Sequence, residues 1–334
     1  MLEDDQAGCA YRVAQQQMHA LHPVLSTRFA FTFFLAMGIL FTTFGGVFVH
    51  YSLDITECNH KYPTFNRDQA TSCTDRDCYI DTVVTLAKED CVGLAADGSI
   101  KGPVFLYYAM TNFFQNHRRY VMSRSTSQLT GSVVTDVSKL SECSPMITAE
   151  DERIMHPCGL IAWSVFNDTF TAADGNGNAI PLDESGNAIN FNVDATFYKN
   201  PTPEEVTANK DKVDFWMNPL VFPGQVEDPH FINWMRLAQT SNFRKLYARI
   251  DDPPPLPWTL RVKNRFPLVG KGTKAVLIST ANFMGGRNIF LGTLYITTGL
   301  VCFVFAIVFC VTLRKKPRIY GDVRFMLQSE SKNK

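Results

Sequence analysis

Residues 29–49 read FAFTFFLAMGILFTTFGGVFV and residues 289–313 read IFLGTLYITTGLVCFVFAIVFCVTL; neither stretch holds a charged side chain. A hydrocarbon core of about 30 Å, crossed at 1.5 Å per residue, needs roughly 20 residues of helix, so each run is long enough to span a bilayer. Core helices of soluble proteins rarely run so far without a charge, which sets the buried-helix alternative aside. A cleaved signal peptide is the other rival for the first run. Its apolar region would be shorter and would end in small residues at a cleavage site, whereas this one ends Gly45-Gly46-Val47-Phe48-Val49-His50, as a signal anchor does.

Working outward, the chain divides into a tail at 1–28, a first span at 29–49, a large loop at 50–288, a second span at 289–313 and a tail at 314–334. Arg12 and Arg28 against Glu3, Asp4 and Asp5 barely orient the first span. Arg314, Lys315, Lys316 and Arg318 follow the second at once, which by the positive-inside rule places the C-terminus in the cytosol and, with two spans, the N-terminus as well. The net charge of zero hides an uneven distribution: the last tail has seven basic and two acidic residues, the loop 23 basic and 27 acidic. A mildly acidic loop argues against a nucleic-acid partner, and topology with anionic headgroups accounts for the basic tail.

Of nine cysteines, Cys9 lies in the first tail and Cys302 and Cys310 in the second span, leaving Cys58, Cys73, Cys78, Cys91, Cys143 and Cys158 in the loop. An even set in a non-cytosolic compartment reads as a disulfide framework. Zinc is the competing use, but no C-x-x-C pair occurs among them. Spacing alone leaves the pairing open. Asn167-Asp168-Thr169 is a glycosylation triplet and fits the same compartment, while Asn200-Pro201-Thr202 is excluded by its proline.

Before the first span, Tyr11, Ala14, Met18, Leu21 and Leu25 recur at three- and four-residue steps, the spacing of a short amphipathic helix broken near Pro23; a tail without fixed structure is the alternative. Within the loop, Phe105 to Tyr120 is aromatic and then basic, a pattern read as a packed aromatic face with a solvated basic end. Residues 171–192, rich in Gly, Asn and Asp, read as turns between short strands. Asp174 to Asn178 resembles the start of a calcium loop, but glycine is missing from the sixth position, which is Ala179, and the twelfth is Ser185 where a Glu is wanted. Asp228-Pro229 is a helix start, followed by Phe231, Trp234, Leu237 and Ala238; a second helix is expected through Phe243, Leu246, Tyr247 and Ile250. Leu260 to Lys263 alternates and Ala275 to Ile278 is a buried-type run, so both read as strands. A β-rich α+β domain is the expected fold of the loop.

Catalytic signatures were sought and not found: G-x-S-x-G, H-E-x-x-H and a phosphate loop are all missing, and Gly270 to Lys274 lacks the upstream glycine spacing of the last. The loop histidines at 50, 60, 117, 156 and 230 have no metal-ligand spacing, so neither an enzyme nor a cofactor is expected.

Several long strings point instead to a family. Tyr107-Tyr108, Thr111 through Val121, Ser123-Arg124 and Ser127-Gln128-Leu129 are followed by Pro157 through Ala162 and Phe166 through Thr169. Then come Trp234-Met235-Arg236, Phe243 through Tyr247, and Gly285-Gly286-Arg287-Asn288 leading to Phe290-Leu291-Gly292. In this order they resemble the accessory (β) subunits of type IV P-type ATPase lipid flippases, the cell division control protein 50 / ligand-effect modulator family, over nearly the whole chain. The resemblance implies a non-catalytic partner of the pump in a one-to-one heterodimer among membrane phospholipids, in the endoplasmic reticulum, Golgi, endosomes or plasma membrane. It also implies an antiparallel β-sandwich ectodomain with helical insertions, and bridges joining Cys58 with Cys91, Cys73 with Cys78 and Cys143 with Cys158. The chain departs from its relatives in having one glycosylation triplet, and Asn190-Phe191 where a tryptophan is common. Gly292 and Gly299, seven residues apart on one helix face, and Arg28 are the expected contacts for the pump, because small residues let helices approach closely. A receptor-like or adhesion ectodomain acting without a pump is the alternative.

Overall fold

The structure is a computed structural model that describes residues 26–73, 77–95, 98–189, 196–268 and 270–315. The amphipathic pattern at 11–25, Cys9, Asn190-Phe191 and the basic tail from Lys316 onward lie outside the described residues. Tyr51–Arg287 forms one compact unit; the flanking segments, ending at His50 and beginning at Asn288, form the other.

The flanking unit is built on two helices, Thr27–Leu53 and Ile289–Lys315, each somewhat longer than the charge-free run inside it. Their apolar side chains face outward: Phe290 is 74% and Ile307 62% exposed. A soluble core helix would bury such residues, whereas lipid accepts them, and a helix pairs its backbone groups internally between its two ends. The hydroxyls of Thr42, Thr43 and Thr312 each bond back to the carbonyl four residues earlier, at 2.7–2.9 Å, and so add no unmet donor to the hydrocarbon.

The ectodomain strands are β1 (Glu57–Tyr62), β2 (Ser72–Cys73), β3 (Cys78–Leu86), β4 (Cys91–Val92), β5 (Val104–Met110), β6 (Ile154–Met155), β7 (Thr169–Ala173), β8 (Ala179–Ile180), β9 (Val213–Asp214), β10 (Phe243–Ile250), β11 (Trp258–Asn264) and β12 (Lys274–Thr280). Among the described residues they make two five-stranded antiparallel sheets, β10-β5-β12-β1-β4 and β2-β3-β11-β7-β8, and a short parallel pair, β6-β9. The two sheets share one core. Leu106, Tyr108, Val276 and Ile278 come from the first and Val84, Phe170, Leu260 and Val262 from the second, all buried together. Every second residue of β5 and β11 is buried, which the alternation of Leu260 to Lys263 predicts for β11. In β12 all seven residues are buried, as the continuous apolar run there suggests. Short helices fill the connections, including Pro229–Met235, capped by the Asp228 carboxylate, which accepts from the His230 amide at 2.9 Å.

One expectation is corrected. Phe243 to Ile250 is not a helix but strand β10, paired along its length with β5. Phe243, Lys245 and Tyr247 turn inward on period two, and an irregularity between Leu246 and Ala248 then resets the parity so that Ala248 and Ile250 also turn inward. A buried lysine at an inward position and one bulge leave apolar residues at 243, 246, 247 and 250, the spacing of a helix.

Of the Gly-, Asn- and Asp-rich stretch, the part between β7 and β8 is the expected turn between short strands, whereas Gly186–Ile189 is a turn of helix. The Asp174 carboxylate accepts from the backbone amides of Asn176 (2.9 Å) and Asn178 (2.8 Å) and from the Asn178 side chain (2.9 Å), which closes the β7–β8 hairpin.

Candidate interaction sites

The two spanning helices run antiparallel and close on each other through small residues. A methyl group placed on Gly292 would lie 2.9 Å from the Val49 amide nitrogen and 3.2 Å from the Gly45 carbonyl oxygen; on Gly299 it would lie 3.0 Å from the Thr42 nitrogen and 3.1 Å from the Gly38 oxygen. Gly45 meets Ile296 just as closely, at 2.8 Å from its nitrogen. Aromatic rings pack at either side of this seam: Phe34 on Phe309 at 5.7 Å, and Phe41 and Phe48 edge-on to Tyr295 at 5.7 and 5.2 Å. Lipid is as apolar as leucine, so close van der Waals packing of this kind, and not hydrophobic burial, holds such a pair.

This reassigns Gly292 and Gly299. The sequence marks them as contacts for a partner, but their face is taken by the first helix of the same chain; side-chain spacing shows a face able to pack closely and says nothing of what packs there. The surface left for a partner is the outward side of both helices. Arg28 is exposed at the start of the first helix, where its carbonyl accepts from the Thr32 hydroxyl.

In the ectodomain the three bridges join Cys58 to Cys91, Cys73 to Cys78 and Cys143 to Cys158. The first links neighbouring strands β1 and β4, the second staples the β2–β3 hairpin, and the third anchors a satellite core around Leu140, Ile154 and Val213.

Several of the strings that carry the family resemblance pack together inside the ectodomain. Phe113 sits among the rings of Tyr120, Trp234, Phe243 and Phe266, at 5.6–6.2 Å. The buried Gln128 side chain donates to the Met155 carbonyl (3.1 Å) and accepts from the Cys158 amide (2.7 Å), and the Trp234 indole donates to the Ile161 carbonyl (2.8 Å). Lys245 donates to the carbonyls of Asn233, Trp234 and Arg236 at the C-terminal end of the helix Pro229–Met235, where helical carbonyls lack an intrahelical donor. Burial, and secondarily the Arg236 charge, pull its ammonium down to about 7.

A fully buried ion pair, missed in the sequence, lies beside the glycosylation triplet. Lys274 Nζ donates to Asp168 Oδ2 (2.7 Å), Asn264 Oδ1 (2.6 Å) and the Phe266 carbonyl (2.8 Å). Asp168 in turn accepts from the amides of Arg265 (2.6 Å) and Phe266 (2.7 Å) and from the Tyr62 hydroxyl (2.9 Å). Every donor of the ammonium is used, which is the condition under which a charge can be buried without a large penalty. One signal was available: a lysine placed directly before the apolar run Ala275 to Ile278 of a strand. Burial and the Asp168 charge push the Tyr62 hydroxyl well above its ordinary range.

Asn167 is half-buried and lines a cavity of about 360 Å³ together with Trp163 and Trp216; its Oδ1 has no hydrogen-bond partner among the described residues. Thr169, the last residue of the triplet, accepts from Arg265 at 3.0 Å. His156 is buried against Phe215, both ring nitrogens lack a partner among the described residues, and desolvation lowers it to about 4, so the ring is neutral at ordinary pH. Among the described residues no three His, Cys, Asp or Glu side chains converge as a metal site.

Fold and sites together define a two-span membrane protein whose large intervening domain is a disulfide-bridged β-sandwich. The profile of the LEM3 (ligand-effect modulator 3) family / CDC50 family matches residues 35–319, and the chain belongs to that family. Similar proteins include ALA-interacting subunit 3 of Arabidopsis thaliana, 32% identical over 94% of this chain and 88% of that protein. Putative ALA-interacting subunit 2 of the same plant is 35% identical over 93% and 90%, and cell cycle control protein 50A of Bos taurus 34% identical over 90% and 87%.

Proposed function

We propose that this chain is the non-catalytic β subunit of a type IV P-type ATPase that moves phospholipid to the cytosolic leaflet. It pairs one-to-one with the pump, and the pump depends on it to fold, to leave the endoplasmic reticulum and to complete its phosphorylation cycle. The observation that carries this reading is the family match across residues 35–319, which takes in both spans as well as the sandwich. Relatives named for interacting with another protein support it. The outward faces of the helix pair supply the intramembrane contact, with Arg28 at its cytosolic edge. Both termini face the cytosol, as Arg314 and Lys315 at the end of the second helix favour, and Asn167 carries a glycan on the opposite side.

Such a subunit need not touch ATP. If it binds some conformers of the pump more tightly than others, it shifts their populations by that difference in affinity. The test is to express a pump with and without this chain and follow aminophospholipid uptake and exit from the endoplasmic reticulum. Uptake and exit that require the chain support the reading; a pump equally active and equally transported without it refutes the reading.

A further inference from the structure

Between the last strand of the sandwich and the second spanning helix, the turn Asn282–Gly285 holds a phenylalanine ring out of the protein. The turn is tightly tied. Asn282 and Gly285 exchange backbone hydrogen bonds at 3.1 and 2.9 Å, the Met284 amide bonds Asn282 Oδ1 at 2.9 Å, and Gly285 takes a left-handed φ of 96°. It is also tied to Tyr51, at the other end of the same compact unit: Asn282 Nδ2 donates to the Tyr51 carbonyl at 2.9 Å, and the Phe283 ring meets the Tyr51 ring edge-on at 5.1 Å. Phe283 is nevertheless 79% exposed, and Tyr51 behind it is 40% exposed. A tied turn that displays an aromatic ring against a second exposed ring forms an apolar surface that water alone does not explain.

Its place along the chain says what covers it. Tyr51 belongs to the continuous helix Thr27–Leu53 and lies two residues beyond Val49, where the charge-free run ends. At 1.5 Å per residue that is about 3 Å past the end of the hydrocarbon-spanning segment, inside the headgroup layer. Phe283 packs on Tyr51 and so shares its depth. Arg287, whose guanidinium donates to the Ile55 carbonyl at 3.3 Å, adds a cation on the same approach to the second span. Aromatic rings with a nearby cation are the composition that membrane interfaces select.

We propose that the Asn282–Gly285 turn, with Phe283 at its tip and Tyr51 behind it, is an interfacial anchor that inserts into the headgroup and upper acyl region of the non-cytosolic leaflet. The occupant is lipid. The anchor needs only the two-span topology and stands whether or not the chain serves a pump.

The test uses the full-length chain, without any pump, in phosphatidylcholine bilayers. Phe283→Trp adds an indole at the tip and Leu220→Trp, at a position 78% exposed elsewhere in the ectodomain, serves as the control. Emission from the four native tryptophans is subtracted using the unsubstituted chain. Both replacements are on the surface, and equal unfolding midpoints establish that the fold is kept. The added emission of Phe283→Trp should be blue-shifted, largely lost when the lipid carries bromines near the carbonyl end of its acyl chains, and insensitive to aqueous iodide; Leu220→Trp should show the reverse. Iodide quenching of both variants alike, with no effect of brominated lipid, overturns the proposal. Shielding of the Phe283→Trp indole that appears only when a pump is added overturns it equally, by giving the patch to a protein.

Discussion

The helix pair and the sandwich are parts of one chain held together by opposite means. The spans carry no ion pair and no bridge among their described residues; they meet through Gly38, Gly45, Gly292 and Gly299, with rings at the sides. The sandwich buries a shared apolar core, closes three disulfides and hides a saturated ion pair in its interior. The difference follows from solvent. Water drives apolar side chains together and gives the sandwich a core, whereas lipid offers no such drive, and only close fit distinguishes one helix contact from another. Substitution should therefore damage the two regions by different routes.

The largest effect is expected at the buried pair. Asp168→Asn strands the Lys274 ammonium and should cost ~3–5 kcal/mol, read as a fall in the unfolding midpoint of the ectodomain signal. Because the Asn-x-Thr triplet survives the change, loss of a glycan does not confound it. A cost near zero would mean that the pair is not the lock described here.

The bridges come next and can be ranked. Their sequence separations are 33 for Cys58–Cys91, 15 for Cys143–Cys158 and 5 for Cys73–Cys78. On the chain-entropy account, replacing each pair by serine should cost about 4, 3 and 2 kcal/mol in that order. An inverted order would show that native contacts, not loop closure, set their worth.

His156 supplies a pH dependence confined to the ectodomain. Its folded pKa of about 4 lies below the ordinary histidine value of 6.5, so the unfolded chain binds more protons between those values and stability falls as pH drops from 6.5 towards 4. A shift of that size corresponds to about 3 kcal/mol. His156→Leu should flatten that part of a stability-against-pH curve; an unchanged slope would assign it to other groups.

The smallest expected effect is in the spans. Gly299→Leu forces a side chain against the backbone of Thr42 and should weaken the helix contact by about 1–3 kcal/mol, the usual range for overpacking. Oxidative cross-linking of cysteines introduced by Phe41→Cys and Tyr295→Cys reports it: efficient in the parent, reduced in the Gly299→Leu background, with the ectodomain's unfolding unchanged. Equal cross-linking would mean that the seam is not set by these glycines.

How legible each region was depends on the same physics. The spans declare themselves because a missing charge over such a length has few other causes, and β11 does so through plain alternation. Strand β10 does not, because Lys245 faces inward and a bulge after Leu246 turns a period of two into the spacing of a helix. Gly292 and Gly299 were visible as a face able to pack closely, but the occupant of that face is a fact about three dimensions. The pair Asp168–Lys274 joins residues 106 positions apart, and Asp168 read only as the middle of a glycosylation triplet. His156 has no sequence signal at all: its perturbation comes from neighbours supplied by the fold.

The central claim is that this bridged, two-span chain is one half of a pump. Purification of the tagged full-length chain from its native membrane in mild detergent tests it most directly. The account predicts a P-type ATPase recovered at close to one copy per chain. Recovery of the chain with no such ATPase, or with only traces of one, would contradict it.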